Sequence, residues 1–324
     1  MNPQSASHLG PVLDVVIARR ETLAEGIIGL ELVAANDVLL PPFDAGAHVD
    51  VHVRPGVVRQ YSICNDPTER KRYRIGILHE PNSRGGSTEI HRTFVEGQKI
   101  QIGLPRNNFR LVDGAREAVL LAGGIGITPL LSMALHLKRH GIPFHLSYCS
   151  RTLGRAAFVS ELNELAASAT VHLDDGPAAQ RFSAEKIPFG PSPSTHAYVC
   201  GPQGFIESIT GELKRLRWAH SNIHVEHFTA AVDKSGDTFR VIARRSGKTI
   251  KVPAAKTIAE VLLENGIEVP MSCEQGVCGT CLTKVLAGTP DHRDVYQTAA
   301  EKATNLYMTP CCSRAFSSTL ELDI

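Results

Sequence analysis

No stretch of about eighteen consecutive apolar residues occurs, so no helical membrane span is expected. There is no dense stripe of lysine and arginine, and the formal net charge is only +1. That gives no electrostatic case for nucleic acid. The first residues, Met1-Asn2-Pro3-Gln4-Ser5, lack the basic patch and apolar core of a secretory signal. Internal repeats and low-complexity tracts are missing too. A disulfide framework is excluded because eight cysteines in 324 residues are too sparse for one. Fourteen histidines show no metal-ligand spacing. His48, His52 and His292 are expected at surface or strand positions.

The cysteines that are present sit unevenly. Cys64, Cys149 and Cys200 stand alone, and the other five crowd between Cys273 and Cys312. With no export signal, a cytoplasmic setting is expected, and clustered thiols there point to metal or redox chemistry. Apolar residues make up 43% and charged residues 21%, a globular balance. The chain is too long for one ordinary core and should hold two or three domains.

Patterning divides it into three. Up to about Val112, alternation with a period of two marks short strands over 12–17, 27–33, 47–53, 57–64, 72–78 and 98–104. One helix is expected over 87–95. That is the signature of an antiparallel barrel. From Asp113 the rhythm changes. Ala118-Val119-Leu120-Leu121-Ala122 reads as a buried parallel strand. Helices over 128–140, 156–167 and 205–216 alternate with strands over 144–149 and 195–200, predicting a doubly wound α/β sheet. Residues 229–236 form a polar linker. Beyond it come a hairpin (239–243 and 249–252, turning at Ser246-Gly247), a helix over 257–264, and strands near 282–286 and 319–322. The expected domains are 1–112, 113–228 and 237–324.

Cys273, Cys278 and Cys281 form C-x4-C-x2-C, with Cys311 well downstream, the plant-type ferredoxin spacing. A [2Fe–2S] cluster needs four thiolates in two pairs on a tight loop. Gly276 and Gly279 suit such a loop, and backbone N–H groups can reach the sulfurs. A structural zinc site is the alternative, but zinc favours two C-x2-C knuckles, and only one is present. Cys311 and Cys312 are adjacent, so residue chemistry alone leaves the fourth ligand open.

Two further loops carry ligand chemistry. Arg59, Tyr61 and Ser62 lie on an expected barrel strand, with Arg59 and Tyr61 on one face. Arg84-Gly85-Gly86-Ser87 opens the expected helix, where free N–H groups favour phosphate. The plain alternative makes Ser87 an N-cap. In the second domain, Gly123-Gly124-Ile125-Gly126-Ile127-Thr128-Pro129 joins a strand to a helix. Its glycines let the backbone approach a pyrophosphate. Thr128 fits the N-cap and Pro129 the first turn. The loop departs from G-x-G-x-x-G, so a plain strand-to-helix turn stays open. Cys200-Gly201-Pro202 ends another strand, where ligands sit in open α/β sheets.

Together these motifs, in this order, resemble the phthalate dioxygenase reductase family, whose relatives include vanillate demethylase and carnitine monooxygenase reductases. The resemblance spans almost the whole chain. It implies a flavin barrel binding FMN rather than FAD, an NAD-binding α/β domain and a β-grasp ferredoxin domain. It implies that Arg59, Tyr61 and Ser62, with Arg84, Gly85, Gly86 and Ser87, hold FMN. Gly123, Gly124, Gly126, Thr128 and Pro129, with Gly201 and Pro202, would hold NADH. Cys200 would meet the nicotinamide, Phe228 would pack on the flavin, and Cys273, Cys278, Cys281 and Cys311 would ligate the cluster. Asp291-His292-Arg293-Asp294 and Ser313-Arg314-Ala315 also resemble the family's ferredoxin domain. The implied function is electron transfer from NADH through FMN and [2Fe–2S] to a transiently bound Rieske-type oxygenase. Arg151 and Arg155, after the second strand of the α/β domain, keep NADPH open. A reductase serving a non-Rieske hydroxylase and a redox sensor without turnover are the competing readings.

Overall fold

A computed structural model describes residues 11–36, 38–81, 85–228 and 232–324. By contact these residues form two units, one over 11–228 and one over 232–324.

The first unit begins with β1 (Val12–Ala24), β2 (Ile27–Ala34), β3 (His48–Arg54), β4 (Val57–Ser62), β5 (Tyr73–Leu78), α1 (Gly86–Thr93) and β6 (Lys99–Gly103). The strands run β4-β3-β6-β1-β2-β5, with every pair antiparallel. A bridge between Ile63 and Ile75 joins the two edges and closes the barrel. Closure follows from the alternation read in the sequence: Val15, Ile17, Val49, Val51, Ile75 and Ile77 are buried in one core, each worth about 1.5–3 kcal/mol of apolar burial. Helix α1 adds Ile90 to that core. The first strand outruns its expected end, continuing past Ile17 to Ala24 along β2.

Next come β7 (Glu117–Gly123), α2 (Ile127–Arg139), β8 (Phe144–Ser150), α3 (Val159–Glu164), β9 (Ala169–Leu173), β10 (Thr195–Cys200), α4 (Gln203–Arg215) and β11 (Ile223–Glu226). Their sheet is parallel throughout, in the order β11-β10-β7-β8-β9. The strand order reverses between β7 and β10, and a ligand crevice opens at such a switch point. The helix expected over 156–167 is shorter. Phe158 adopts a left-handed φ of 61° immediately before it, with its ring buried in the core. Strands β9 and β11 are short and only partly buried, so no continuous apolar run announces them.

Barrel and parallel sheet are joined by specific contacts. Ser132 on α2 donates to the Asn65 carbonyl at 2.9 Å. Arg74 on β5 pairs with Glu21 and Glu161 and lies 5.0 Å from the centre of the Phe158 ring.

The second unit holds β12 (Phe239–Ala243), β13 (Lys248–Val252), α5 (Ile258–Glu264), β14 (Thr283–Ala287), β15 (Pro290–Asp291), α6 (Ala299–Thr304), β16 (Tyr307–Met308), β17 (Arg314–Ala315) and β18 (Thr319–Leu322). The main sheet runs β13-β12-β18-β14-β16, with β12 and β18 parallel and the other pairs antiparallel. This is a β-grasp arrangement, with α5 packed on the sheet through Ile258, Val261 and Leu262. A capping box between Thr257 and Glu260 starts α5. It satisfies two otherwise orphaned helix donors. Among the described residues, no helix is long and apolar enough to cross a membrane.

Candidate functional site

At the switch point the backbone itself forms the site wall. β7 ends at Gly123, a short turn covers Gly124–Gly126, and α2 starts at Ile127. Gly124 has a φ of +53°, which favours glycine. Gly126 is required for a different reason. A Cβ there would sit 2.7 Å from the Gly201 nitrogen and closer still to the Cys200 carbonyl. Across the gap, a Cβ on Gly201 would meet the Gly123 Cα at 3.0 Å. These glycines bring the ends of β7 and β10 together. Pro202 stands at the N-terminus of α4.

Thr128 does not take the expected capping place. Gly126 occupies that position, and no side chain caps α2. Thr128 is the second helical residue, its hydroxyl donating to the Ile125 carbonyl at 3.0 Å. A Cβ on Gly76 would meet its methyl at 2.9 Å, so Thr128 packs on the barrel. Pro129 falls in the first turn.

Cys200 is fully buried at the end of β10. Register pairs it with Glu226 on β11, and its thiol donates to Glu226 Oε2 at 3.9 Å. Burial pushes the thiol well up, reinforced by the neighbouring carboxylate, so it stays protonated. Glu226 is itself raised from 4.5 to about 8, chiefly by burial. Sequence reasoning passed over Glu226, because strand β11 that carries it is too short to be read from periodicity. Phe228 packs against the core cluster to which Cys200 belongs.

On the barrel, Arg59 and Gly86 meet. A Cβ on Gly86 would lie 2.6 Å from Arg59 Nε, so the guanidinium stem runs over the start of α1. Arg59 Nη1 donates to the Val58 carbonyl at 2.7 Å. Gly85, with a φ of +84°, is the N-cap, and no side chain caps α1. Ser87, expected as a possible cap, lies inside the helix. Its hydroxyl accepts from the Glu80 amide at 3.1 Å. Tyr61 packs against the barrel core, and burial raises its phenol above the ordinary range. Ser62 is buried opposite His48. Arg84 lies outside the described residues. A cation beside uncapped helix N–H groups is a fitting cradle for a phosphate.

The cysteines of the second unit gather closely. Cys273 lies beside Cys278, and Cys311 beside both Cys281 and Cys312. Among the described residues, no three metal-ligating side chains converge as one ion would require. Backbone amides aim at the sulfurs: Gln275 to Cys273 and Thr280 to Cys278, each at 3.4 Å, and Gly276 to Cys311. Such donors stabilise charge on thiolate sulfur. Two thiol pairs on an amide-lined loop fit a two-iron cluster. Gly279 has a φ of +71°, and a Cβ there would lie 2.6 Å from Tyr296 Cε2, so the ring rests on the loop. Cys312 lies beside Cys311 and also meets the Thr309 hydroxyl at 3.3 Å. His292, expected at a surface or strand position, is instead only 9% exposed in its side chain.

Residues 241–316 match the 2Fe-2S iron-sulfur cluster binding domain, and residues 120–211 the oxidoreductase NAD-binding domain. The chain is 46% identical to vanillate O-demethylase oxidoreductase of Pseudomonas sp. (strain HR199 / DSM 7063), over 97% of this chain and all of that protein. Among solved structures it resembles phthalate dioxygenase reductase, described as modular for electron transfer from pyridine nucleotides to [2Fe-2S]. That match has 37% identity and a TM-score of 0.75, covering 97% of this chain and 98% of the other. It also resembles an intact type IV self-sufficient cytochrome P450 monooxygenase, with 33% identity and a TM-score of 0.82. There it covers 97% of this chain and 41% of the other.

Proposed function

The chain belongs to the phthalate dioxygenase reductase family, and from that premise we propose that it draws electrons from NADH through FMN to a [2Fe–2S] cluster and delivers them to a Rieske-type oxygenase. The observation that carries this reading is the pairing of the four thiols Cys273 with Cys278 and Cys281 with Cys311 on an amide-lined loop, in a chain that also has an NAD-binding domain.

A bound flavin supplies the conversion between the two-electron chemistry of a nicotinamide and one-electron transfer to iron and sulfur. The protein's residues bind and orient. Arg59, Gly85, Gly86 and Ser87, with Arg84, Tyr61 and Ser62, hold FMN. Gly123, Gly124, Gly126, Thr128, Pro129, Gly201 and Pro202 line the nucleotide crevice. Cys200 places the nicotinamide, its thiol held by Glu226 and kept neutral by burial. Phe228 covers the flavin. NADH is favoured over NADPH by Asp174 and Asp175. Their amides donate to the Ser150 and Arg151 carbonyls at 3.0 and 3.2 Å, so two carboxylate residues flank the end of β8. Arg155 there is engaged by Glu25 at 3.5 Å. The domains follow 1–112, 113–228 and 237–324, with a linker at 229–236, of which residues 1–10 and 229–231 lie outside the described residues. None of the eight cysteines forms a disulfide, which suits a cytoplasmic setting. Docking to the oxygenase is transient. The ferredoxin domain carries ten acidic and ten basic residues, so its net charge does not mark the docking face.

The P450 monooxygenase that contains a similar reductase supports a second reading, in which the acceptor is a haem oxygenase. One experiment tests both. The protein is purified without oxygen, its visible spectrum recorded, and NADH added. Flavin and iron–sulfur bands should both bleach. The reduced protein is then mixed with a Rieske oxygenase or a P450, and the reoxidation rate names the acceptor. Bleaching with NADPH alone would overturn the nucleotide assignment. A colourless protein containing zinc would sink the reading.

A further inference from the structure

Behind the cysteine loop lies a buried polar group that the reading above does not use. The Asp294 carboxylate has no exposed surface. Its Oδ2 accepts from the Gln297 amide at 2.7 Å, but its Oδ1 has no hydrogen-bond partner. Facing Oδ1 at 4.0 Å is His292 Nδ1, also without a partner. The other ring nitrogen, His292 Nε2, lies 3.0 Å from Asn305 Oδ1. An amide oxygen can only accept, so Nε2 carries the neutral ring's proton. That leaves Nδ1 bare. Two lone-pair acceptors therefore confront each other in a buried space, where an unmet acceptor is unfavourable. One proton between them would satisfy both.

The surroundings do not supply that proton. From α6, the Lys302 ammonium pairs with Asp294 Oδ2 at 4.0 Å and donates to the Asp294 carbonyl. Arg293 turns away to Asp291, its Nε 2.8 Å from Oδ2. From the cysteine loop, Gly276 packs against Asp294. A Cβ on Gly276 would lie 3.0 Å from Asp294 Cα, the Val295 and Tyr296 amides both donate to its carbonyl at 3.1 Å, and its own amide points at Cys311. One loop residue thus separates the His292–Asp294 pair from a sulfur of the cluster site.

We propose that His292 and Asp294 form a proton-binding pair that couples reduction of the cluster to uptake of one proton. The inference rests on the cluster reading. When one electron enters the cluster, negative charge appears one residue away from the pair. In a medium of low dielectric that charge favours a proton on His292 Nδ1. The electron comes from the reductant and the proton from solvent, which reaches the slightly exposed imidazole. No bond to iron or sulfur changes. His292 is a tuning residue, and its effect reads out as a potential rather than as a rate.

The test is a redox titration of the intact holoprotein between about pH 5.5 and 9, following the cluster by electron paramagnetic resonance. The signal of the reduced cluster first establishes that the cluster is present; its absence would defeat the cluster reading itself. With the cluster present, the midpoint potential should fall as pH rises. The slope should approach about 59 mV per pH unit, the value of a tenfold change in a one-electron couple. In His292→Gln, which can keep a donor toward Asn305, the slope should vanish with the cluster signal unchanged. A flat profile in the unaltered protein, or an equal slope in His292→Gln, would overturn the coupling.

Discussion

Gly126→Ala tests the close approach on which the nucleotide crevice depends. Gly126 has φ −61° and ψ −5°, a conformation alanine adopts freely, so backbone strain plays no part. Only the added methyl matters. It would fall 2.7 Å from the Gly201 nitrogen and nearer still to the Cys200 carbonyl. Both are backbone atoms, so no side chain can swing aside. Restoring ordinary contact needs a displacement of roughly 1 Å between the α2 turn and β10. Overpacking of this kind costs about 1–3 kcal/mol. For a unit of this size each kcal/mol is worth about 2–4 °C of melting temperature. A displacement of about 1 Å at a reacting centre also slows the chemistry by about 100-fold. Gly211→Ala is the control. Gly211 lies inside α4 with nothing within 4 Å of a Cβ, so alanine should stabilise by about 0.5–1 kcal/mol. Calorimetry and anaerobic stopped-flow reduction by NADH read both quantities. Gly126→Ala should melt lower and reduce its flavin slowly, while Gly211→Ala melts higher at an unchanged rate. A Gly126→Ala protein that melts with its parent and reduces at the parent rate would refute the argument.

Four further outcomes are expected. Arg59→Ala should weaken FMN binding about 10- to 100-fold, the loss of one charge-assisted hydrogen bond, measured by fluorescence of released flavin. Arg59→Lys should fall between, because it keeps the charge without the planar fork. Cys200→Ala should slow flavin reduction and leave the iron–sulfur spectrum intact; an unchanged rate would remove Cys200 from the site. Glu226, raised from 4.5 to about 8, binds its proton more tightly when folded. The stability it contributes is therefore full below pH 4.5 and is lost as pH rises to about 8. Denaturant titrations should show that decline in the parent and a shallower one in Glu226→Gln. Cys311→Ser should abolish iron and sulfide incorporation while Cys312→Ser preserves it, and the reverse pattern would transfer the ligand role to Cys312.

Local signals set most of the fold. The alternation in 47–53 and the continuous apolar run in 118–122 are short-range consequences of how many faces of a strand are buried, and both strands appear where expected. The C-x4-C-x2-C spacing acts in the same way: the thiols meet within one loop because the chain between them is too short to take them elsewhere. Other features escaped because they depend on pairing across long separations. Glu226 meets Cys200 only through the parallel register of β11 on β10, and nothing in Val225-Glu226-His227 announces that partner. Cys311 and Cys312 are identical to any reading of composition. Only the structure tells them apart: Cys311 reaches Cys281 as well as Cys312, and Cys312 also reaches Thr309. Thr128 and Ser87 have the right chemistry for caps but fall inside their helices, because a glycine before each takes the cap position. His292 looks like a surface residue until Asp294 and Asn305 close around it. Sequence determines the elements and the inventory of reactive groups, since these follow from sterics over a few residues. Tertiary packing alone decides which groups face one another, because register and burial are set by contacts among residues far apart in the chain.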